Sequence, residues 1–162
     1  MSKISPCIWC HGYAEELAKF YVSLLPDSRI DHIQKSVIDH PGGQEGGVLL
    51  VRFTLAGQQY MALNGDHSAE HSHAISFSID CEDQAEIDRL WDALLEGGGE
   101  PICCGWLKDR FGVRWQVVPR VIPELLGGSD PAGAKRVMKA VMGMIKLDVA
   151  ALEAAYAGEP AA

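Results

Sequence analysis

The sequence predicts an α+β chain made of two β-α-β-β-β units in tandem, followed by a helical extension. Two amphipathic helical segments, about 13–25 and 83–95, align at a constant offset of 70 residues. Leu17, Phe20, Tyr21, Leu24 and Leu25 match Ile87, Leu90, Trp91, Leu94 and Leu95. Each segment follows a strand-like stretch and precedes alternating ones, and Gly57-Gln58-Gln59-Tyr60-Met61 is similar to Gly112-Val113-Arg114-Trp115-Gln116. From Val121 onward, alternation gives way to helical spacing. The same order met twice argues for duplication of one unit over chance likeness between two helices.

Ile4 to Cys10 is the first expected strand. In the helix from Tyr13 to Leu25, Ala14, Leu17, Ala18, Tyr21 and Leu24 recur at three- and four-residue steps. Glu15 and Glu16 fall in its first turn, where the helix dipole favours acids, and Pro26 ends it. Arg29 to Ile38 is weakly patterned. Val48 to Leu55 alternates, with Leu49, Val51, Phe53 and Leu55 on one face, and Gln59 to Leu63 follows a turn at Ala56-Gly57. In the second unit Ala74 to Asp80 places Ile75, Phe77 and Ile79 on one face. The helix from Asp83 to Leu95 ends at Gly97-Gly98-Gly99. Ile102–Leu107 and Val113–Val118 pair as a hairpin around Asp109-Arg110-Phe111-Gly112. If Arg110-Phe111 is its tip, Trp106 and Trp115 lie opposite each other. Asp130-Pro131 and Asp148 are helix starts in the extension. There Val137, Met138, Val141, Met142 and Ile145 form an apolar seam, with Met144 nearby. These methionines suit core packing or an adaptable contact surface. The tail Gly158–Ala162 is expected to be loose.

With 162 residues, the chain is one domain by length, with unit boundaries at about 3–65 and 73–120 and an extension over about 121–157. Such a chain buries roughly 70% of its unfolded surface, so it needs no disulfide staples. A formal charge of −8 argues against nucleic acid or an anionic membrane as partner. No apolar run reaches spanning length, and the N-terminal residues lack the apolar stretch of a signal peptide. The expected location is the reducing cytoplasm. Five cysteines and six histidines make a metal or redox site the first question to test.

Three stretches resemble the PhnB-like branch of the vicinal oxygen chelate superfamily, the group of glyoxalase I, bleomycin-resistance proteins and extradiol dioxygenases. They are Ile4-Ser5-Pro6-Cys7-Ile8-Trp9, Tyr60-Met61-Ala62-Leu63-Asn64-Gly65, and the run from Cys104 to Pro119. Ala18-Lys19-Phe20-Tyr21 in the first helix adds to the likeness. Members of this branch often carry the label 3-demethylubiquinone-9 3-methyltransferase-like. The resemblance implies paired β-α-β-β-β modules whose curved sheets surround a ligand cavity, in a homodimer that binds a small molecule.

The superfamily's enzymes hold a divalent metal with four side chains, two from the first strands of the modules and two from the last. Alternation tests those positions here. If Ile75, Phe77 and Ile79 pack on a helix, then Ala74, Ser76 and Ser78 face the cavity. If Val113, Trp115 and Val117 pack on a helix, then Arg114, Gln116 and Val118 face it. The resulting set is Pro6, Met61, Ala74 and Gln116. Proline and alanine cannot ligate, methionine is too soft for the expected metals, and glutamine is weak. The expectation is therefore no metal and no other cofactor; a register shift of one residue would bring His73 inward. The candidate ligand-binding residues are Gln116, Arg114, Ser76, Ser78, Met61 and Cys10, the last expected on the cavity face near a helix start. No catalytic residue is assigned.

The remaining Cys and His groupings have structural readings. Cys7-Ile8-Trp9-Cys10-His11 has haem-attachment spacing, but on a strand its thiols point to opposite faces. The same geometry argues against a redox pair. Cys103-Cys104 is expected as two small buried residues, also on opposite faces. His67, His71 and His73 lie in the linker, as a solvated loop or an adventitious metal site. Arg114 on an inward face needs an internal partner, Asp109 or Asp80, or else an acidic or carbonyl-bearing ligand.

The first functional reading is a metal-free small-molecule-binding protein. The second is an enzyme acting on a small carbonyl or quinone-like substrate. The third is the methyltransferase of the family label, against which stands the lack of a glycine-rich strand–turn–helix motif: Gly42-Gly43 and Gly46-Gly47 precede a strand.

Overall fold

The computed structural model describes residues 3–159 and divides into two compact units, Met1–His71 and Ser72–Ala162. In the first, β1 (Cys7–Cys10), α1 (Ala14–Leu24), β2 (Arg29–Lys35), β3 (Val48–Leu55) and β4 (Gln58–Asn64) form a sheet in the order β1-β4-β3-β2 with one helix. β1 runs parallel to β4, and the other pairs are antiparallel. The apolar face of α1 (Leu17, Ala18, Tyr21, Leu24) is buried, as are Ile8, Cys10, Val51, Phe53, Leu55 and Ala62 of the sheet. Tyr21 lies against Phe53 at 6.4 Å between ring centroids, and Phe53 stacks on Tyr60 at 5.5 Å. Tyr13 precedes α1 without a side-chain cap. Asn64 supplies one from β4: its Oδ1 accepts the N–H of Gly12 (3.1 Å) and Ala14 (3.0 Å), and its amide donates to the Val48 carbonyl (2.9 Å). This satisfies donors that a helix start leaves open.

Two expected strands are shorter than their apolar patterns. The first begins at Cys7, and Pro6 contributes only its carbonyl, which accepts from Met61 at 2.9 Å. Ile4 is exposed. β2 stops at Lys35, where the Ser36 hydroxyl donates to the Ile38 carbonyl and turns the chain; Val37 and Ile38 are exposed.

The second unit repeats the first. β5 (Phe77–Cys81), α2 (Gln84–Leu95), β6 (Glu100–Pro101), β7 (Trp106–Lys108) and β8 (Arg114–Pro119) form a sheet in the order β5-β8-β7-β6. This is the first unit's strand order, with the same parallel first–last pair. Asp83 caps α2 by accepting from Glu86 at 2.8 Å, and the Glu86 carboxylate accepts from the Glu82 N–H at 2.8 Å. Ile87, Leu90, Trp91 and Leu94 of α2 are buried with Ile79, Leu107, Trp115 and Val117 of the sheet. The expected strand from Ala74 is corrected at its start. β5 begins at Phe77, and Ile75, expected under the helix, is 75% exposed.

The extension folds as α3 (Ile122–Gly127), α4 (Pro131–Gly143) and α5 (Val149–Ala157). Asp130 and Asp148 cap α4 and α5 through the N–H groups of Ala132 (3.0 Å) and Ala151 (2.8 Å). Val137, Leu147 and Leu152 form its core, with Ile122, Leu125, Val141, Met144 and Tyr156 around them. The expected seam divides: Val137 is buried, whereas Met138, Met142 and Ile145 are exposed. Gln84 ties the extension to α2, donating to the Leu147 carbonyl (3.2 Å) and accepting from Val149 (2.9 Å). Lys146 pairs with Asp88 at 2.6 Å. Of the tail expected to be loose, residues 160–162 lie outside the described residues. No helix among the described residues is long and apolar enough to cross a membrane.

Candidate functional site

The second unit's sheet has one face under α2 and one that carries polar groups. Along β8 and the residue before it, Val113, Trp115 and Val117 are buried while Arg114, Gln116 and Val118 are half-buried. Strand alternation thus assigns Arg114 and Gln116 to the polar face as the sequence predicts. Ser78 pairs with Gln116 and Gln116 with Trp106, giving a row across β5, β8 and β7. Ser76, just ahead of β5, accepts a hydrogen bond from Gln116 Nε2 at 2.9 Å. Four of the expected residues, Ser76, Ser78, Arg114 and Gln116, therefore come together within this unit.

Arg114 has neither internal partner expected for it. Its Nη1 donates to the Gly112 carbonyl, and its Nε is buried without a hydrogen-bond partner. Asp109 is committed elsewhere: its carboxylate accepts from Phe111 N (2.9 Å), Val113 N (3.0 Å) and Trp115 Nε1 (2.9 Å). Across the ladder from Arg114 stands Lys108, whose ammonium is paired with Glu100 at 2.7 Å. An arginine with unmet donors beside an amide and two hydroxyls suits a carboxylate or carbonyl oxygen.

The expected Trp106–Trp115 pair is not formed. Trp115 lies opposite Leu107 and is buried, while Trp106 lies opposite Gln116. The turn explains the one-residue offset. Gly112, at φ 87°, closes on the Asp109 carbonyl, and Asp109 N–H bonds the Val113 carbonyl, which adds one residue to the loop. A three-residue loop with its last residue left-handed has this form and favours glycine there.

In the first unit Met61 lies between Cys7 and Arg52 in the ladder and is half-buried. Cys10 corrects the expectation of a cavity-facing thiol. It is fully buried, and its Sγ contacts the Ile8 carbonyl at 3.7 Å. Alternation from buried Ile8 puts it on the α1 side, and Cys7 on the other. Cys81 is likewise buried, and burial pushes its thiol up to about 12.

Among the described residues, no group of three His, Cys, Asp or Glu side chains that could hold a metal ion includes His67, His71 or His73. His67 instead stacks on His11 at 4.5 Å, and His11 Nδ1 donates to the Asp66 carbonyl at 2.6 Å. His73 is tilted against Trp106 at 6.5 Å. The Asp66 carboxyl is held below its ordinary range by hydrogen bonds from Ser68. Sequence reasoning missed the His11–His67 contact, because the two are distant in sequence and neither sits in an apolar pattern.

Cys103 and Cys104 also depart from expectation. They occupy the turn between β6 and β7 rather than a strand, with Cys103 exposed and Cys104 half-buried. Burial, with the neighbouring Cys103 thiol adding to it, holds the Cys104 thiol above its ordinary range.

The donor set does not fit a resident divalent metal. At the positions expected for ligands, Gln116 has its amide engaged with Ser76, and Met61 offers only a thioether. Pro6 and Ala74 have no ligating atom. Among the described residues no three His, Cys, Asp or Glu side chains are placed to hold a metal ion.

Comparison with known proteins covers most of the two sheets. The family model for 3-demethylubiquinone-9 3-methyltransferase matches residues 2–118. A PhnB protein from Bacillus cereus, whose description carries the same methyltransferase label, is 32% identical. It covers 73% of this chain and 99% of its own, with a TM-score of 0.66. Protein PA1353 from Pseudomonas aeruginosa is 23% identical over 74% of this chain and 98% of its own, with a TM-score of 0.55. The fosfomycin resistance protein FosX from Listeria monocytogenes, solved with Mn(II) and sulfate, shares the fold at 14% identity. It covers 78% of this chain and 97% of its own, with a TM-score of 0.50. No curated protein matches the chain.

Proposed function

The chain belongs to the 3-demethylubiquinone-9 3-methyltransferase family, the PhnB-like branch of the vicinal oxygen chelate superfamily, and from that premise we propose that it is a metal-free small-molecule-binding protein. Its ligand carries a carboxylate or carbonyl group and meets Arg114, Gln116, Ser76 and Ser78. The supporting observation is the buried, unpartnered Nε of Arg114, in a side chain that no carboxylate neutralises. A buried cationic donor without a partner is costly, and an anionic or carbonyl oxygen would relieve that cost. The reading includes a homodimer, as is typical of the fold family, working in the cytoplasm. Five free cysteines suit a reducing compartment.

A thermal-shift screen of small carboxylates and carbonyl compounds, run with and without chelator, tests the reading. Stabilisation that survives chelation, and that Arg114→Ala abolishes, is the expected result. Stabilisation that disappears with chelator would overturn it in favour of a metalloenzyme.

A further inference from the structure

We infer that the ligand of the second unit's polar face is an aromatic carboxylate, with its ring stacked on Trp106 and its carboxylate held by Arg114. The inference rests on the carboxylate-or-carbonyl reading above and adds the uncharged part of the ligand. Alternation from buried Leu107 puts Trp106 and Lys108 on the face opposite α2, together with Arg114 and Gln116. Trp106 is thus a broad apolar ring at the end of a polar row, beside Gln116 and Ser78, and it is only half-buried. The core on the other side of the sheet is filled by Trp115 instead. An indole left partly open among convergent polar groups is the kind of wall that small-molecule sites use.

The register sets the span between ring and charge. Trp106 lies directly across from Gln116, and Arg114 stands two residues before Gln116 on β8. Such diagonal neighbours are about 7–8 Å apart, a separation that aromatic and long side chains bridge. A planar ring that bears its carboxylate directly, or through one carbon, fits along this diagonal. Its two oxygens then meet the guanidinium fork of Arg114, whose Nε is buried without a hydrogen-bond partner. The other cation of this face, Lys108, is already taken by Glu100 at 2.7 Å.

The segment ahead of β5 adds a second ring. Ser76 accepts from Gln116 Nε2 at 2.9 Å, which ties this segment to the polar row. Three residues earlier, His73 lies 6.5 Å from Trp106 with the two rings inclined at 51°. A ring stacked on Trp106 meets His73 obliquely, and offset or tilted contacts are those that aromatic groups favour. An aliphatic chain would gain only from the area it buries, whereas a π system gains from both rings as well.

Benzoate, phenylacetate and cyclohexanecarboxylate are the probes, titrated into the full chain and followed by heteronuclear NMR of amide and indole groups. Cyclohexanecarboxylate carries the same charge on a ring with more apolar surface, so burial alone would favour it. The expected result is that both aromatic acids bind about 2- to 10-fold more tightly than the saturated one. They should also shift the Trp106 indole N–H resonance, which is assigned by its loss in Trp106→Phe. Trp106→Leu, apolar but without a π face, should erase the preference, and Trp106→Phe should keep it. Circular dichroism checks the fold of each variant; if Trp106→Leu does not fold, the wild-type preference and the indole shift decide. Equal affinity for the three acids, an indole resonance that benzoate leaves in place, or a preference that survives in folded Trp106→Leu would overturn the aromatic assignment. Each of those results leaves the carboxylate reading standing if Arg114→Ala still weakens binding. Binding by none of the acids, or binding that Arg114→Ala leaves unchanged, would overturn both.

Discussion

The indole N–H of Trp115 donates to Asp109 Oδ2 at 2.9 Å, joining two residues that are each 1% exposed. The other oxygen of Asp109 takes the N–H groups of Phe111 and Val113, so one carboxylate organises both the hairpin loop and a core tryptophan. Removing it strands several buried donors at once, each costing about 1–3 kcal/mol. Asp109→Ala is expected to lose roughly 4 kcal/mol in urea unfolding. Asp109→Asn, which keeps acceptor capacity on one oxygen, should lose less. Equal stability of the alanine variant and the wild type would show that the loop holds itself.

Asn64 does the comparable task in the first unit. It ties the start of α1 and the Val48 carbonyl to β4 from a site only 5% exposed. Asn64→Ala removes a helix cap and takes a donor from the half-buried Val48 carbonyl, for about 2 kcal/mol in all. Asn64→Asp preserves the cap but loses the donor to Val48, so it should fall between the two. Hydrogen exchange of the first-turn amides of α1 would locate the effect: faster exchange in Asn64→Ala is expected, and unchanged protection would refute the capping role.

The duplicated architecture was legible because burial imposes periodicity. Leu17, Tyr21 and Leu24 repeat as Ile87, Trp91 and Leu94, and both sets lie in the core. Arg114 and Gln116 were placed on the polar face by the same logic, from buried Val113, Trp115 and Val117. Two misplaced features sit where local backbone conformation overrides alternation. Gly112 inserts a residue that separates Trp106 from Trp115, and Cys104 adopts positive φ that turns a supposed strand pair into a shared turn. Ile75 fits the apolar pattern but lies ahead of the strand, whose pairing with β8 starts at Phe77. Cys10, expected on the cavity face, shares the buried face of Ile8 two residues before it.

Acid should weaken the second unit through two exposed carboxylates. Hydrogen bonds from Lys146 and Gln84 hold the Asp88 carboxyl below its ordinary range, and the Gly133 backbone N–H, followed by Ala132 and Arg136, does so for Asp130. A folded pKa below the unfolded one means the unfolded chain binds protons first as pH falls. The stabilisation is thus complete above the usual carboxylate pKa, about 4, and is lost as pH falls through the lower folded values. Urea midpoints measured between about pH 5 and pH 2 should fall less steeply in Asp88→Asn and Asp130→Asn than in the wild type. Parallel slopes would show that neither carboxylate is linked to folding.

Arg114 separates a binding role from a structural one. Its single hydrogen bond goes to the carbonyl of Gly112, two residues away, and its Nε is buried without a partner. Arg114→Ala should therefore leave stability within about 1 kcal/mol of wild type, since the variant loses one bond and an uncompensated charge together. Affinity for the strongest chelator-resistant carboxylate from the thermal-shift screen should fall about 10- to 100-fold by calorimetry, as expected for a lost charge-assisted bond. Arg114→Lys keeps the charge but not the planar fork, so its affinity should lie between those values. Gln116→Ala should weaken binding less, since its amide is already shared with Ser76. Loss of stability without loss of affinity in Arg114→Ala would assign the guanidinium to the Gly112 turn and leave the ligand to other residues.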